Sequence, residues 1–143
     1  MLQSTPHDRQ VLLLLTRQLD SQGQASDLLA LTLPRLRPPA PTITDLELSC
    51  LAAHTLLKRG DPAESARVIG RWRDAGGDLG EVNLALQRRA MSLEFEGTLA
   101  AGNVERAVAF AQHAMDVGVE EATRWILRAA SHASGATRIT TLR

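Results

Sequence analysis

LELSCLAAHTLLKRGDPAESARVI, Leu46 to Ile69, is the stretch whose reading decides the fold. Leu48, Leu51, Ala52, Thr55 and Leu56 recur at steps of three and four, so they share one side of a helix, with Glu47, His54 and Lys58 on the other. Gly60-Asp61-Pro62 ends that helix and opens a second. Gly accepts the left-handed turn after a helix, Asp61 caps the next one, Pro62 suits its first turn, and Glu64 stands at capping-box distance. The unit is helix, tight turn, helix. Gly23-Gln24-Ala25 and Gly102-Asn103-Val104 repeat the event, each between an apolar-periodic stretch and an Ala- or Leu-rich one.

Composition agrees with this pattern. The chain has 143 residues, enough for one compact core, and is 44% apolar but only 3% aromatic, with no Tyr. Leu and Ala must fill the interior, and both are strong helix formers, so an all-α fold is predicted. Sixteen basic and sixteen acidic residues cancel, which argues against nucleic acid or an anionic membrane as the main partner. Lys58 is the only lysine; the abundance of Arg, beside so much Ala and Gly, reads as a product of genome composition. A lone cysteine, Cys50, allows no internal disulfide and points to a reducing, cytoplasmic setting. The apolar run Val11 to Leu15 is too short for a membrane span and lacks the basic flank of a signal peptide.

Outward from the central unit, Thr5-Pro6-His7-Asp8 opens a first helix expected to reach about Gln22. Its run Val11 to Leu15, with Leu19, covers more than one stripe, so this helix is either enclosed on several sides or offers an apolar side to a partner. A second helix, Ser26 to Leu33, should fail near Pro34, and PRLRPPAP, Pro34 to Pro41, reads as a stiff, extended connector. Thr44 with Glu47 signals the start of the third helix, and Asp78 with Glu81 that of a long helix reaching Ala101. In the helix after Asp61, Ala66, Ile69 and Trp72 face inward, while Glu64, Arg67, Arg71 and Asp74 form a solvated face. Asn103 caps a helix of small apolar residues that Gly118 closes. A last helix over 119–134 turns Ala122, Trp125, Ile126 and Ala129 inward and Glu121, Arg124, Arg128 and His132 outward. The expected organisation is a single domain over 1–134: hairpins at 6–33, 44–75 and 79–117, a proline-rich linker at 34–43, a capping helix at 119–134, and a flexible tail at 135–143.

The turn glycines Gly23, Gly60 and Gly102 recur at roughly 40 residues, against about 34 in tetratricopeptide repeats. LLKRGDPAESA (Leu56 to Ala66) and LAAGNVERAVAFAQHA (Leu99 to Ala114) resemble the turn-centred core of that repeat, with Ala107 in the place of its small packing residue and Ser65 in the same place one unit earlier. Glu94 falls on a core position of this alignment. Three such pairs plus a capping helix resemble the small tetratricopeptide chaperones of bacterial type III secretion. The opening VLLLLTRQLDSQGQASDLL before a proline break is most similar to the YscY type, and less so to the YscG type. The resemblance implies a cytoplasmic, non-enzymatic chaperone that forms a heterodimer with one small secreted or export-apparatus protein of the YscX type, shields its apolar segment, and docks transiently at the secretion machinery. It also implies a concave groove lined by the first helix of each pair, placing there Leu13 and Arg17, then Glu47, Cys50, His54 and Leu57, then Ser92, Glu96 and Leu99.

Two other readings are weaker. A regulatory adaptor outside secretion has the same scaffold and would bind a transcription factor or a kinase. An enzyme has no motif here. Gly76-Gly77-Asp78-Leu79-Gly80 lacks the Lys-Ser/Thr of a phosphate loop, and Cys50 with His54 supplies two ligands where structural zinc needs four. No cofactor or metal is expected.

Overall fold

The computed structural model describes residues 6–116 and 118–141, and the side chains of 8–116 and 118–131. The described residues contain helices and no strand, so the fold is all-α. The helices are α1 (Pro6–Ser21), α2 (Ala25–Thr32), α3 (Ile43–Lys58), α4 (Pro62–Asp74), α5 (Leu84–Ala100), α6 (Val104–Asp116) and α7 (Ala122–Thr141). Each of α3 through α6 packs on its successor, so α5 lies against both α4 and α6; α1 also touches α3, and α3 touches α5.

The turn chemistry read from the sequence is present. Gly60 and Gly102 have φ of 84° and 86°, and behind them Asp61 and Asn103 donate their backbone N–H groups to the carbonyls of Leu56 and Thr98. These long-reach bonds close the Schellman turns that end α3 and α5. Asp61 then accepts the Glu64 N–H at 3.4 Å, and Asn103 that of Arg106 at 3.4 Å, which caps α4 and α6. The predicted Thr5 cap of α1 lies outside the described residues.

Three boundaries differ. Helix α3 begins at Ile43, capped by Thr42, whose hydroxyl accepts the Asp45 N–H; Thr44 instead accepts a hydrogen bond from the Gln10 side chain. Helix α5 begins at Leu84 rather than near Leu79. Asp78 does cap a helical start, but only of a 3-10 turn, Leu79–Glu81, and Asn83 caps the α-helix proper. Helix α7 runs to Thr141, through most of the stretch expected to be a tail.

The proline-rich segment is not an extended connector. Leu33–Leu36 forms a 3-10 turn, which tolerates Pro34 in its first positions, and Leu36 and Pro39 are buried. Three polar contacts pin the segment. The Arg9 guanidinium donates to the Arg35 carbonyl at 3.3 Å, the Ala40 N–H donates to Asp45 at 2.7 Å, and the Trp72 indole N–H donates to the Thr42 carbonyl at 2.8 Å. This makes the segment a strap folded over α3 and α4.

The core is a chain of three apolar clusters. Leu12, Leu13, Leu48, Leu51, Leu56 and Val68 join α1 to α3 and α4; Leu46, Cys50, Ala53, Ile69, Trp72 and Ala90 join α3 and α4 to α5; Met91, Phe95, Ala107, Ala111 and Trp125 join α5 to α6 and α7. In the last, Phe95 and Phe110 both stack on Trp125, at 5.3 and 6.3 Å between ring centres. Five buried hydroxyls are satisfied within their own helix: Thr16, Thr32, Ser49, Thr55 and Thr98 each donate to the carbonyl four residues back.

Helix α4 approaches both neighbours closely. Ser65 donates to the Ala53 carbonyl of α3 at 2.6 Å, and a Cβ on Gly97 of α5 would lie 2.7 Å from the Pro62 carbonyl oxygen and 3.0 Å from the Ala66 nitrogen. Both atoms are backbone and cannot yield. Gly97→Val should therefore push α5 off α4 and cost about 2–3 kcal/mol, read as a lower midpoint in urea unfolding followed by circular dichroism; an unchanged midpoint would mean that the two helices separate freely.

Candidate functional site

The nine residues assigned to a groove divide into two groups. Leu13, Cys50 and Leu99 are core: they are 3%, 0% and 3% exposed, and each sits within an apolar cluster. The physical reason is packing: Leu13 is covered where α1 meets α3 and α4, Cys50 where α3 and α4 meet α5, and Leu99 where α5 meets α6 and α7. Leu57 is half-buried against the α3–α4–α5 cluster, so it too supports packing.

The polar members remain at the surface and are tied across helices. Arg17 of α1 pairs with Glu47 of α3 at 2.6 Å, and Glu96 of α5 pairs with Arg128 of α7. Arg17, Glu47, Leu51, Leu86 and Arg89 line a shallow depression of about 110 Å³. Ser92 is half-buried on α5, as is His54 on α3. His54 is held below the usual histidine range by burial, by Lys58 and by Arg89, against the opposing pull of Asp20. Its imidazole is accordingly the neutral form near pH 7. Cys50 is pushed up to about 12 by burial, with the Arg89 charge opposing and Glu47 adding to the rise, so it is a thiol and chemically inert.

Two surface features were less visible in the sequence. The first is apolar: on α1, Val11, Leu14 and Leu15 are 43%, 62% and 52% exposed, while Leu12 and Leu13 of the same run face the core. Their spacing of three and four residues makes one continuous stripe. The run itself was the signal; which half of it would be covered depended on neighbours in space.

The second is a cleft of about 430 Å³ between α4, α5 and the start of α6. Arg67, Arg71, Arg73 and Arg106 line it together with Asp74 and Glu94, over a floor that includes Ala63, Ala66, Gly70 and Thr98. On its edge a single carboxylate, Glu64, is shared by three guanidinium groups: Arg71 at 2.8 Å, Arg67 at 3.2 Å and Arg37 at 3.5 Å. Burial works to raise the Glu64 pKa, but hydrogen bonds from Arg71 and Arg67 and the charges of Arg71 and Arg37 outweigh it and hold the group below the usual range. Glu94, 6% exposed, is the opposite case. Burial raises its pKa despite the ion pair with Arg73 and the nearby Arg106, and its Oε1 has no hydrogen-bond partner. The Arg73 guanidinium also lies over the Phe110 ring at 5.9 Å. The row expected to be a solvated face is thus half engaged in this cleft.

Among the described residues no group of three or more His, Cys, Asp or Glu side chains is placed to hold a metal ion, and no helix is long and apolar enough to cross a membrane. No family model, curated protein or solved structure matches the chain.

Two measurements check this electrostatic picture. Iodoacetamide at pH 8 should leave Cys50 unmodified in the folded protein and alkylate it fully in urea, as read by mass spectrometry; rapid modification of the folded chain would contradict the burial. The lowered Glu64 pKa contributes stability that is present above the unfolded carboxylate value, about 4.3, and is lost as pH falls through the folded one. Glu64→Gln should therefore cost about 1 kcal/mol near neutrality, with the difference from wild type vanishing in acid melts.

Proposed function

We propose that this chain is a non-catalytic protein-binding domain and, in the finer reading, a small tetratricopeptide-like secretion chaperone of the YscY type. The observation that carries the coarser statement is the Val11, Leu14 and Leu15 stripe on α1. Three large apolar side chains held side by side in water lose hydration cost when another surface covers them. Helix α1 is tied to the domain by α2 and α3 alone among the strongly packed pairs, so its outer side is open to an incoming segment.

The finer reading is supported by the resemblance of the opening segment and of the two turn-centred stretches, and by the succession of α1, α3 and α5, each of which touches the next as first helices of stacked hairpins would. In this reading the partner is a small export-apparatus protein of the YscX type, bound one to one. An amphipathic segment of it lies on the α1 stripe, and Arg17, paired with Glu47, sets its register at the edge. The chaperone's work is sequestration: apolar contact replaces water around a segment that would otherwise aggregate, and competition at the export machinery releases it.

Affinity capture of the tagged protein from its own host, with mass spectrometry of the eluate and light scattering of the complex, should yield a small secreted partner at one to one. Leu14→Asp should weaken that complex by about 2 kcal/mol, roughly thirty-fold, with thermal stability within about 0.5 kcal/mol of wild type because Leu14 is 62% exposed and outside the apolar clusters. Capture of a transcription factor or a kinase instead would favour an adaptor, and full affinity in Leu14→Asp would remove the stripe from the interface.

A further inference from the structure

The cleft between α4, α5 and α6 is not accounted for by a partner on α1. Its charge is unbalanced in a chain whose totals cancel. Glu64 answers one of the three guanidinium groups gathered on it, and Arg73 is answered by Glu94. Among the described residues Arg106 has no carboxylate within ion-pair distance. Like charges held together repel one another, and the repulsion is relieved when anionic groups are added from outside.

Gly70 is an independent observation. It lies inside α4, where glycine is a poor helix residue. The turn glycines have positive φ, and Gly77 and Gly97 face neighbouring atoms so closely that no Cβ fits. Gly70 has neither reason: its φ is helical, and a Cβ there would meet nothing within 4 Å. Among the described residues the missing side chain serves no packing purpose. It lines the cleft, at helical spacing from Ala63 and Ala66, and leaves the α4 wall smooth.

We propose that this cleft binds an acidic, extended segment of a partner polypeptide, whose carboxylates pair with Arg67 and Arg106 while its main chain passes over Gly70. Guanidinium groups engage carboxylates through two parallel hydrogen bonds, which gives a peptide both affinity and register. The lining extends along α4 from Ala63 to Asp74, about 16 Å at ~1.5 Å per residue, the reach of roughly five extended residues at ~3.3 Å each. Asp74 and Glu94 also line it. They repel a compact polyanion such as a polyphosphate but are tolerated by a chain with spaced carboxylates and N–H donors between them. The walls offer Ala and Gly and no large apolar side chain, so an apolar helix finds no pocket here.

The probe is a fluorescein-labelled peptide with Glu at alternate positions among Ser and Gly, and the same peptide with Gln in place of Glu as its control, titrated with the full-length protein by fluorescence anisotropy at low salt. The Glu peptide should bind, the Gln peptide should not, and Arg106→Glu should weaken binding about tenfold or more. Gly70→Leu should also weaken it severalfold while its thermal midpoint equals or exceeds that of wild type, since Leu is the better helix former. Absence of binding, equal binding of the Gln peptide, or unchanged binding in both variants would overturn the proposal. A lowered midpoint in Gly70→Leu would return that glycine to a structural role and overturn the argument built on it. Tripolyphosphate that displaces the peptide at lower concentration than the unlabelled peptide itself would make the cleft a small-anion site instead.

Discussion

The close approach of α4 to both α3 and α5 is the constraint on which the rest of the structure depends. It is made possible by one hydroxyl and one missing side chain. Ser65 reaches the Ala53 carbonyl across the α3 interface, and Gly97 lets the α5 backbone come against Pro62 and Ala66. With α4 held this way, Trp72 is buried between α3 and α5 and its indole N–H meets the Thr42 carbonyl, which fixes the end of the proline strap. A Cβ on Gly77 would lie 2.5 Å from the same indole ring, so the chain leaving α4 is shaped around that side chain as well. The same approach brings Arg73 to Glu94 and thereby forms the cleft.

Two buried acids mark places where this arrangement accepts a polar cost to fix geometry. Asp45 is fully buried at the first turn of α3; it receives the Ala40 N–H on one oxygen and faces the Arg9 guanidinium, 3.6 Å away, with the other. It links α1, the strap and α3 through a single side chain. Glu94 is tied to Arg73 on one oxygen only, and its raised pKa records the incomplete compensation. Apolar residues at either position would pack with less desolvation, but they would not determine where the strap crosses α3 or which face of α5 meets α4.

How far the fold could be read from the sequence follows from how local each feature is. The helix–turn–helix units were legible because Gly60-Asp61-Pro62 and Gly102-Asn103 encode their own geometry within three or four residues. The start of α5 was misplaced because a capping box specifies only the first turn: Asp78 initiates a 3-10 turn, and nothing in the box tells whether an α-helix continues. The strap was read as extended because prolines rule out an α-helix without ruling out a 3-10 turn anchored by a buried Leu36. For the candidate site, positions on a helix face were legible but their coverage was not. Leu13, Cys50 and Leu99 share a face with Arg17, Glu47 and Glu96, and the packing of α1 on α3, of α3 on α5 and of α5 on α6 decides which of them water reaches. The pairing of Glu94 with Arg73, and of Glu64 with Arg37, lies between elements and leaves no local trace; a Glu on a core position was the one visible sign of the former.

Net charge shows the same limit from the other side. Equal numbers of acids and bases lower the expectation of a strongly charged partner only if the charges are evenly mixed. Here they are not: three arginines converge on Glu64, and across the cleft from them Arg106 has no carboxylate within ion-pair distance among the described residues. At a Debye length of about 8 Å in physiological salt, an incoming group is influenced by that neighbourhood and hardly at all by the compensating acids elsewhere on the molecule. A neutral chain can therefore present one apolar surface, at α1, and one basic surface, along α4 and α6, and a single elongated partner with an apolar segment and an acidic one would have a use for both. Linking two such contacts through one chain raises the affinity of each without any change in the individual sites. That combination is what a neutral helical domain of this size can offer in place of a deep pocket.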